Sequence, residues 1–276
     1  MQLLGIRYTL SGGILLAAAV LFKARLPRGR ELAATAVLGI VLIGSGNGAL
    51  VFAESWIPSG LASIFVSTQP FWMTGIESLL PRGERLHLPT VCGMLIGLCG
   101  TILLVGPGAL DEGWHGSLTA GFLLLQLGCC GWSLGSVLQR RVPTRAHPVV
   151  SGAVQQLATG LFFLLIAAAV PQPPMHVTNR GAGALAYLVT FGSIVGYSAY
   201  AYALENLPVS LVSIYGYVNP AIAVFLGWMF YAEIFHVREL FAMVIIFVGV
   251  AIVKRTQRHA SVPAALPEAA AVHDGG

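Results

Sequence analysis

Gln69-Pro70 and Asn219-Pro220 each place a side-chain amide directly before a proline, near the middle of a long apolar run. Proline has no N–H and crowds the turn before it. Inside a helix it would free the carbonyl four residues earlier, here that of Val66 or Gly216. Free carbonyls beside an amide can hold a polar solute. Phe65 and Tyr215, one turn earlier on the same faces, would supply an apolar or stacking wall. The chemistry of this set is recognition rather than bond making. Its structural alternative is a packing kink, in which the amide satisfies carbonyls freed on a neighbouring helix.

Three further groups could face the same solute. Asn47 and Glu54 are seven residues apart and share a helix face, with Asn47 deeper and Glu54 near a surface. Tyr197 and Tyr200 form an aromatic face, whereas Tyr202 points elsewhere. Gln126, Cys129, Cys130 and Ser133 make a small polar stripe with Trp132 off it; the stripe suits either a cavity wall or close packing beside Gly128, Gly131 and Gly135. Glu77, about one turn from the end of its apolar run, is a candidate for proton coupling, since a carboxylate inside hydrocarbon is functional by default. Glu84 and Glu233 sit at loop-to-helix boundaries, where each would cap the free amides of the helix that follows.

Groups that make or break bonds are placed elsewhere. All seven His, and the two Asp residues Asp111 and Asp274, fall in loops or the tail. There is no His-Glu-x-x-His, no Ser-His dyad within a helix and no intramembrane pair of aspartates, so an enzyme is not expected. Cys92, Cys99, Cys129 and Cys130 lie within apolar runs and read as buried free thiols; neither a metal nor a cofactor is called for.

These residues must be positioned by helices in a membrane. The chain is 56% hydrophobic and 9% charged with a mean hydropathy of +0.80, against about 25% charged in ordinary soluble domains, which excludes a water-soluble enzyme. Nine apolar runs near the roughly 20 residues needed to cross a bilayer occupy 3–22, 32–52, 59–80, 90–105, 118–138, 149–170, 183–204, 209–231 and 240–253. They are too long for barrel strands. With alternating sides, 12 Lys and Arg fall on one face of the bilayer. Arg7, Arg180 and Arg238 fall on the other, putting the carboxyl terminus in the cytoplasm and Met1 outside. The net charge of +4 is dispersed in short clusters between these runs, which orient the chain in the bilayer rather than bind nucleic acid.

An internal repeat accounts for the odd number. At an offset of 150, Gly46 meets Gly196, Pro58 meets Pro208, Ser63 meets Ser213 and Pro70 meets Pro220; at 149, Glu84 meets Glu233 and Gly100 meets Gly249. The first half then holds four helices and the second five. Units of five crossings lie in opposite senses, which is the inverted-repeat plan of secondary transporters.

The stretch Ala53-Glu54-Ser55-Trp56-Ile57-Pro58-Ser59-Gly60-Leu61-Ala62-Ser63, followed by Gln69-Pro70 and by Gly83-Glu84 before a glycine-rich helix, resembles the EamA domain of the drug/metabolite transporter superfamily. The pattern returns from Ala203 through Asn219-Pro220 to Ala232-Glu233, and the resemblance covers most of residues 1–258. It implies an all-α polytopic membrane protein with helices around a central cavity. It further implies export of amino acids or other small metabolites across the bacterial inner membrane by alternating access. Residues 1–108 form a first repeat lacking one helix, 116–259 a second repeat, and 260–276 a disordered cytoplasmic tail.

The missing helix leaves a second expectation, a non-transporting or partner-completed chain. The completing partner would be a subunit or a second copy docked on the glycine face of Gly93, Gly97 and Gly100. A start about 30 residues upstream, encoding a tenth helix, is a third.

Overall fold

The computed structural model describes residues 1–111, 118–142, 144–170, 178–231 and 237–260; Glu233 and the tail beyond Ala260 lie outside them. Among the described residues every regular element is helical. The order is α1 (Gln2–Leu21), α2 (Arg30–Ala53), α3 (Ser59–Val66), α4 (Gln69–Leu79), α5 (Leu88–Asp111), α6 (Leu118–Arg141), α7 (Pro148–Ala169), α8 (Asn179–Asn206), α9 (Val209–Ser213), α10 (Tyr215–Tyr231) and α11 (Val237–Ala260). Five of these, α1, α2, α6, α7 and α8, are each long and apolar enough to cross a membrane. Counting α3 with α4 and α9 with α10 gives nine passes among the described residues, an all-α polytopic membrane protein.

The third and eighth runs are not continuous helices. The third breaks at Ser67 and Thr68, and Pro70 occupies the first turn of α4, where a missing N–H costs nothing. Pro70 therefore begins a helix instead of kinking one. Pro220 does lie inside α10, but the break in that run comes earlier, at Ile214 between α9 and α10. In both runs the first piece starts after a proline in extended conformation, Pro58 or Pro208.

Two other helices carry π-type turns at matching places. Ile40–Gly44 interrupts α2, and Leu188–Tyr197 interrupts α8 over a stretch that includes positions 150 residues later. Such widened turns shift the register of the side chains that follow, here Asn47 in one helix and Tyr200 in the other.

Small residues let the helices approach closely. On α1, a Cβ at Gly12 would come within 2.5 Å of the Leu157 backbone nitrogen on α7. On α5, Gly93 and Gly100 lie against α11, and a Cβ at Gly249 would meet the Gly93 carbonyl at 2.6 Å. The glycine face of α5 that the sequence offered to a second copy is thus covered from within the chain, by α11 and by the Tyr217 ring at Gly97. Buried clusters then form around Met94, Tyr217 and Ile246 between α5, α10 and α11, and around Tyr8, Leu42 and Phe163 between α1, α2 and α7.

Candidate functional site

A cavity of about 670 Å³ lies between α1, α2, α6, α8, α9 and α10. Asn47, Tyr197, Tyr200, Tyr215 and Asn219 border it, and so do Arg7, Tyr8 and Trp132. Its wall is built around one aromatic series. Trp132 stands 5.5 Å from Tyr200, Tyr200 meets Tyr215 edge-on at 5.4 Å, and Tyr197 stacks obliquely on Tyr200 at 6.1 Å.

Each hydroxyl of this series is held by a second polar group, which fixes the ring. Trp132 Nε1 donates to Tyr200 Oη at 3.0 Å, and the Ser136 hydroxyl shares a 2.6 Å bond with it. Tyr197 Oη donates to Gln155 Oε1 at 2.7 Å, and Gln155 Nε2 donates in turn to Gln139 Oε1 at 3.1 Å. Gln69 Nε2 donates to Tyr215 Oη at 3.0 Å, and that hydroxyl returns a bond to Gln69 Oε1 at 3.2 Å. Gln69 is buried and stands behind Tyr215 rather than in the cavity wall. The first residues of α4 and α10 are therefore tied directly to each other across the molecule.

Phe65 and Gln126 do not border this cavity. Phe65 packs edge-on against Phe122 at 5.1 Å. Gln126 Nε2 donates to the Phe65 carbonyl at 3.3 Å, while its Oε1 accepts from Thr68 Oγ1 at 2.9 Å and from Trp72 Nε1 at 2.8 Å. At the break the Phe65 carbonyl accepts from the Thr68 amide at 3.2 Å and from the Thr68 hydroxyl at 2.7 Å, and Gln126 adds a third donor from α6. The thiol of Cys129 reaches the Val66 carbonyl at 3.9 Å. The small face of α6 packs on α2: a Cβ at Gly135 would meet that of Leu42, and one at Gly128 that of Ala49, each at 2.6 Å. This close packing turns Trp132, which the stripe had set aside, toward the cavity. The Asn47 amide donates back to the Ile43 carbonyl at 3.3 Å, inside the π-type turn.

Carboxylates cluster at one end of the molecule. Glu77 is buried and accepts from Arg141 Nη2 at 2.7 Å, and Arg141 also binds the Pro81 carbonyl. Glu84 caps a helix, but not the one that follows it. Its Oε1 accepts from the Val209 amide at 2.6 Å, and its Oε2 from the Ser210 hydroxyl at 2.8 Å, at the start of α9; Arg140 pairs with it at 3.0 Å. The expected capping chemistry is present, and folding delivers it to the other half of the chain. At the far end of α2, partial burial raises the Glu54 carboxyl above its ordinary value. Among the described residues no group of three or more His, Cys, Asp or Glu could hold a metal ion.

Arg7 is the residue that loop counting hid. Counting loop charges places it at the surface, yet its Nε donates to the buried Ser193 hydroxyl at 2.8 Å and its guanidinium lies 5.0 Å from the Tyr8 ring centre. Removing it leaves Arg180 and Arg238 on that side against the same 12. The available signal was its place inside an apolar run, where a charge is functional by default.

Comparison with known proteins gives the same answer as the geometry. A solved crystal structure superposes with a TM-score of 0.81 over 95% of this chain and 89% of its own, at 22% identity, which establishes the fold. The uncharacterized inner membrane transporter YedA of Escherichia coli K12 is 34% identical over 230 residues, 82% of this chain and 72% of its own. The uncharacterized transporter YvbV of Bacillus subtilis is 26% identical over 261 residues, 90% of this chain and 80% of its own. Residues 1–106 and 119–255 both match the EamA-like transporter family, and the chain, a multi-pass membrane transporter of the drug/metabolite superfamily, belongs to it.

Proposed function

We propose that the protein is a secondary carrier, not an enzyme. In this reading it exports a small polar or amphipathic metabolite, such as an amino acid, by alternating access between its two halves. The observation that carries this reading is the cavity itself. It is bordered by Tyr215 and Asn219 of a discontinuous span, and Tyr215 is fixed by Gln69 at the break of the other discontinuous span. Broken spans at mid-membrane place free backbone and amide groups where a solute can use them, and allow one half to rock against the other. The distribution of Lys and Arg supports a bacterial inner-membrane location with the carboxyl terminus in the cytoplasm.

The test is counterflow into proteoliposomes, screened with labelled amino acids, nucleosides and organic cations against protein-free vesicles. Accumulation of one class supports the carrier. A Gln69→Ala, Asn219→Ala double variant that folds normally and transports at the wild-type rate would remove these residues from the site.

A second reading is favoured by one observation: only 17% of an apolar 18-residue stretch of α8 is buried, against 44% of such a stretch of α2. A partner that covers α8 would complete the cavity wall. Crosslinking in native membranes that returns only monomer would count against it.

A further inference from the structure

Arg7 carries a half-buried guanidinium that has no ion-pair partner among the described residues. The ion pairs among the described residues join Arg25 to Glu31, Arg140 to Glu84 and Arg141 to Glu77, and none includes Arg7. Its polar side-chain contact is with the Ser193 hydroxyl, through Nε. A charge drawn partly out of water gives up solvation that a partner can replace.

Snorkelling does not account for it. Arg7 lies five residues into α1, about 8 Å along the axis, and an interfacial arginine would extend back toward the helix end. Instead it crosses to Ser193, at the middle of the 28-residue α8. The guanidinium lies so close to α8 that a Cβ at Gly192 would sit 2.7 Å from its Nη2. The acceptor is fixed too: the Ser193 carbonyl accepts from Gln156 Nε2 at 3.3 Å, and Gln156 Oε1 accepts from Ser11 Oγ at 2.6 Å. Arg7 and Gly192 border the same cavity as Tyr197, Tyr200 and Tyr215.

We infer that Arg7 is the anion anchor of the cavity, and that the substrate class is a small carboxylate with an apolar or aromatic body. The guanidinium takes the carboxylate through the donors that Ser193 leaves free, and the rings of Tyr197, Tyr200 and Trp132 take the body. This deepens the carrier reading and rests on the same cavity. A lipid headgroup offers a similar anion, and the nanodisc arms of the test separate the two sources.

The experiment is calorimetric titration of purified full-length protein in neutral detergent, with leucine, phenylacetate and hexanoate each compared with its amide. Acids should bind and amides should bind much more weakly. Arg7→Gln should weaken the acids on the order of tenfold to a hundredfold and change the amides by less than about threefold. Arg7→Lys, which keeps the charge but loses the planar fork, should fall between and guards against a misfolded glutamine variant. Amides binding as well as acids, acids binding equally to Arg7→Gln, or no acid binding to folded wild type would each overturn the anchor. So would acid binding that disappears in nanodiscs of anionic lipid while persisting in zwitterionic ones, since that assigns Arg7 to a headgroup. Arg7-dependent acid binding with flat counterflow would sink the carrier reading and leave the anchor standing.

Discussion

Helices α2 and α8 have similar local structure and different surroundings. Each contains a π-type stretch at matching positions, and each is followed by a proline that opens a short helix. Yet α2 is clasped between α6 and α7, with Leu42 and Ile43 fully buried, while α8 leans on α1 and α7 and leaves Phe191, Val195 and Tyr202 more than half exposed. Local sequence sets the backbone of both helices. What differs is the neighbour, and the cavity lies along the helix that lacks an α6-like one among the described residues. The first half packs tightly around α2, and α8 of the second half runs along the cavity that Arg7, Tyr8 and Asn47 of the first half also border.

Breaking the scaffold should cost most at the half-buried ion pair of Glu77 and Arg141. Glu77 ties α4 to the last turn of α6, and the chain has Leu226 or Gly227 at the corresponding place in the second half. Glu77→Ala strands Arg141 without its partner and should cost about 2–4 kcal/mol, read by reversible unfolding in mixed micelles. If the loss comes from the stranded charge, a Glu77→Ala, Arg141→Met double variant should recover most of it. No recovery would mean that Glu77 acts through something other than Arg141.

The comparison sharpens at Gly46 and Gly196, which match at the 150-residue offset. A Cβ at Gly46 would sit 2.6 Å from Trp132 Cε3. Gly46→Ala should therefore push the indole off Tyr200 and cost about 1–3 kcal/mol, with a shift in the Trp132 fluorescence that a Trp132→Phe control removes. Glu84→Gln comes next. It keeps an acceptor for the Val209 amide but loses the charge facing Arg140, so about 1 kcal/mol and faster proteolysis near α9 are expected. Unchanged proteolysis would mean that α9 does not depend on this cap.

Most of the fold was legible because nine apolar runs are a coarse signal that survives small errors of boundary. The breaks were less so. Gln-Pro and Asn-Pro marked the right spans, but where a helix unwinds depends on groups that spacing does not reveal, here Thr68 at the break and Gln126 from 57 residues past Gln69, which both donate to the Phe65 carbonyl. The aromatic wall was half visible: Tyr197 and Tyr200 share one helix face by spacing, and Tyr215 shares another with Asn219. Trp132 was discounted because helical spacing cannot say which stripe of α6 the small residues will press against α2. Arg7 was missed for a different reason, since alternating loop charges reward scoring every basic residue as surface.

Gly196→Ala is the mildest change and the most direct check of the contrast. The nearest atom a new Cβ would meet is the Phe191 carbonyl oxygen of the same helix, at 3.0 Å, and no atom of another helix lies within 4 Å. A methyl there needs only a small local adjustment, offset by the higher helix propensity of alanine, so stability should change by less than about 0.5 kcal/mol. Because Gly196 borders the cavity, the methyl should still reduce binding of bulkier probes while small ones bind as before. A destabilisation as large as that of Gly46→Ala would mean that α8 is as tightly packed as α2 in the membrane, and that another chain or segment covers the face that stands open here.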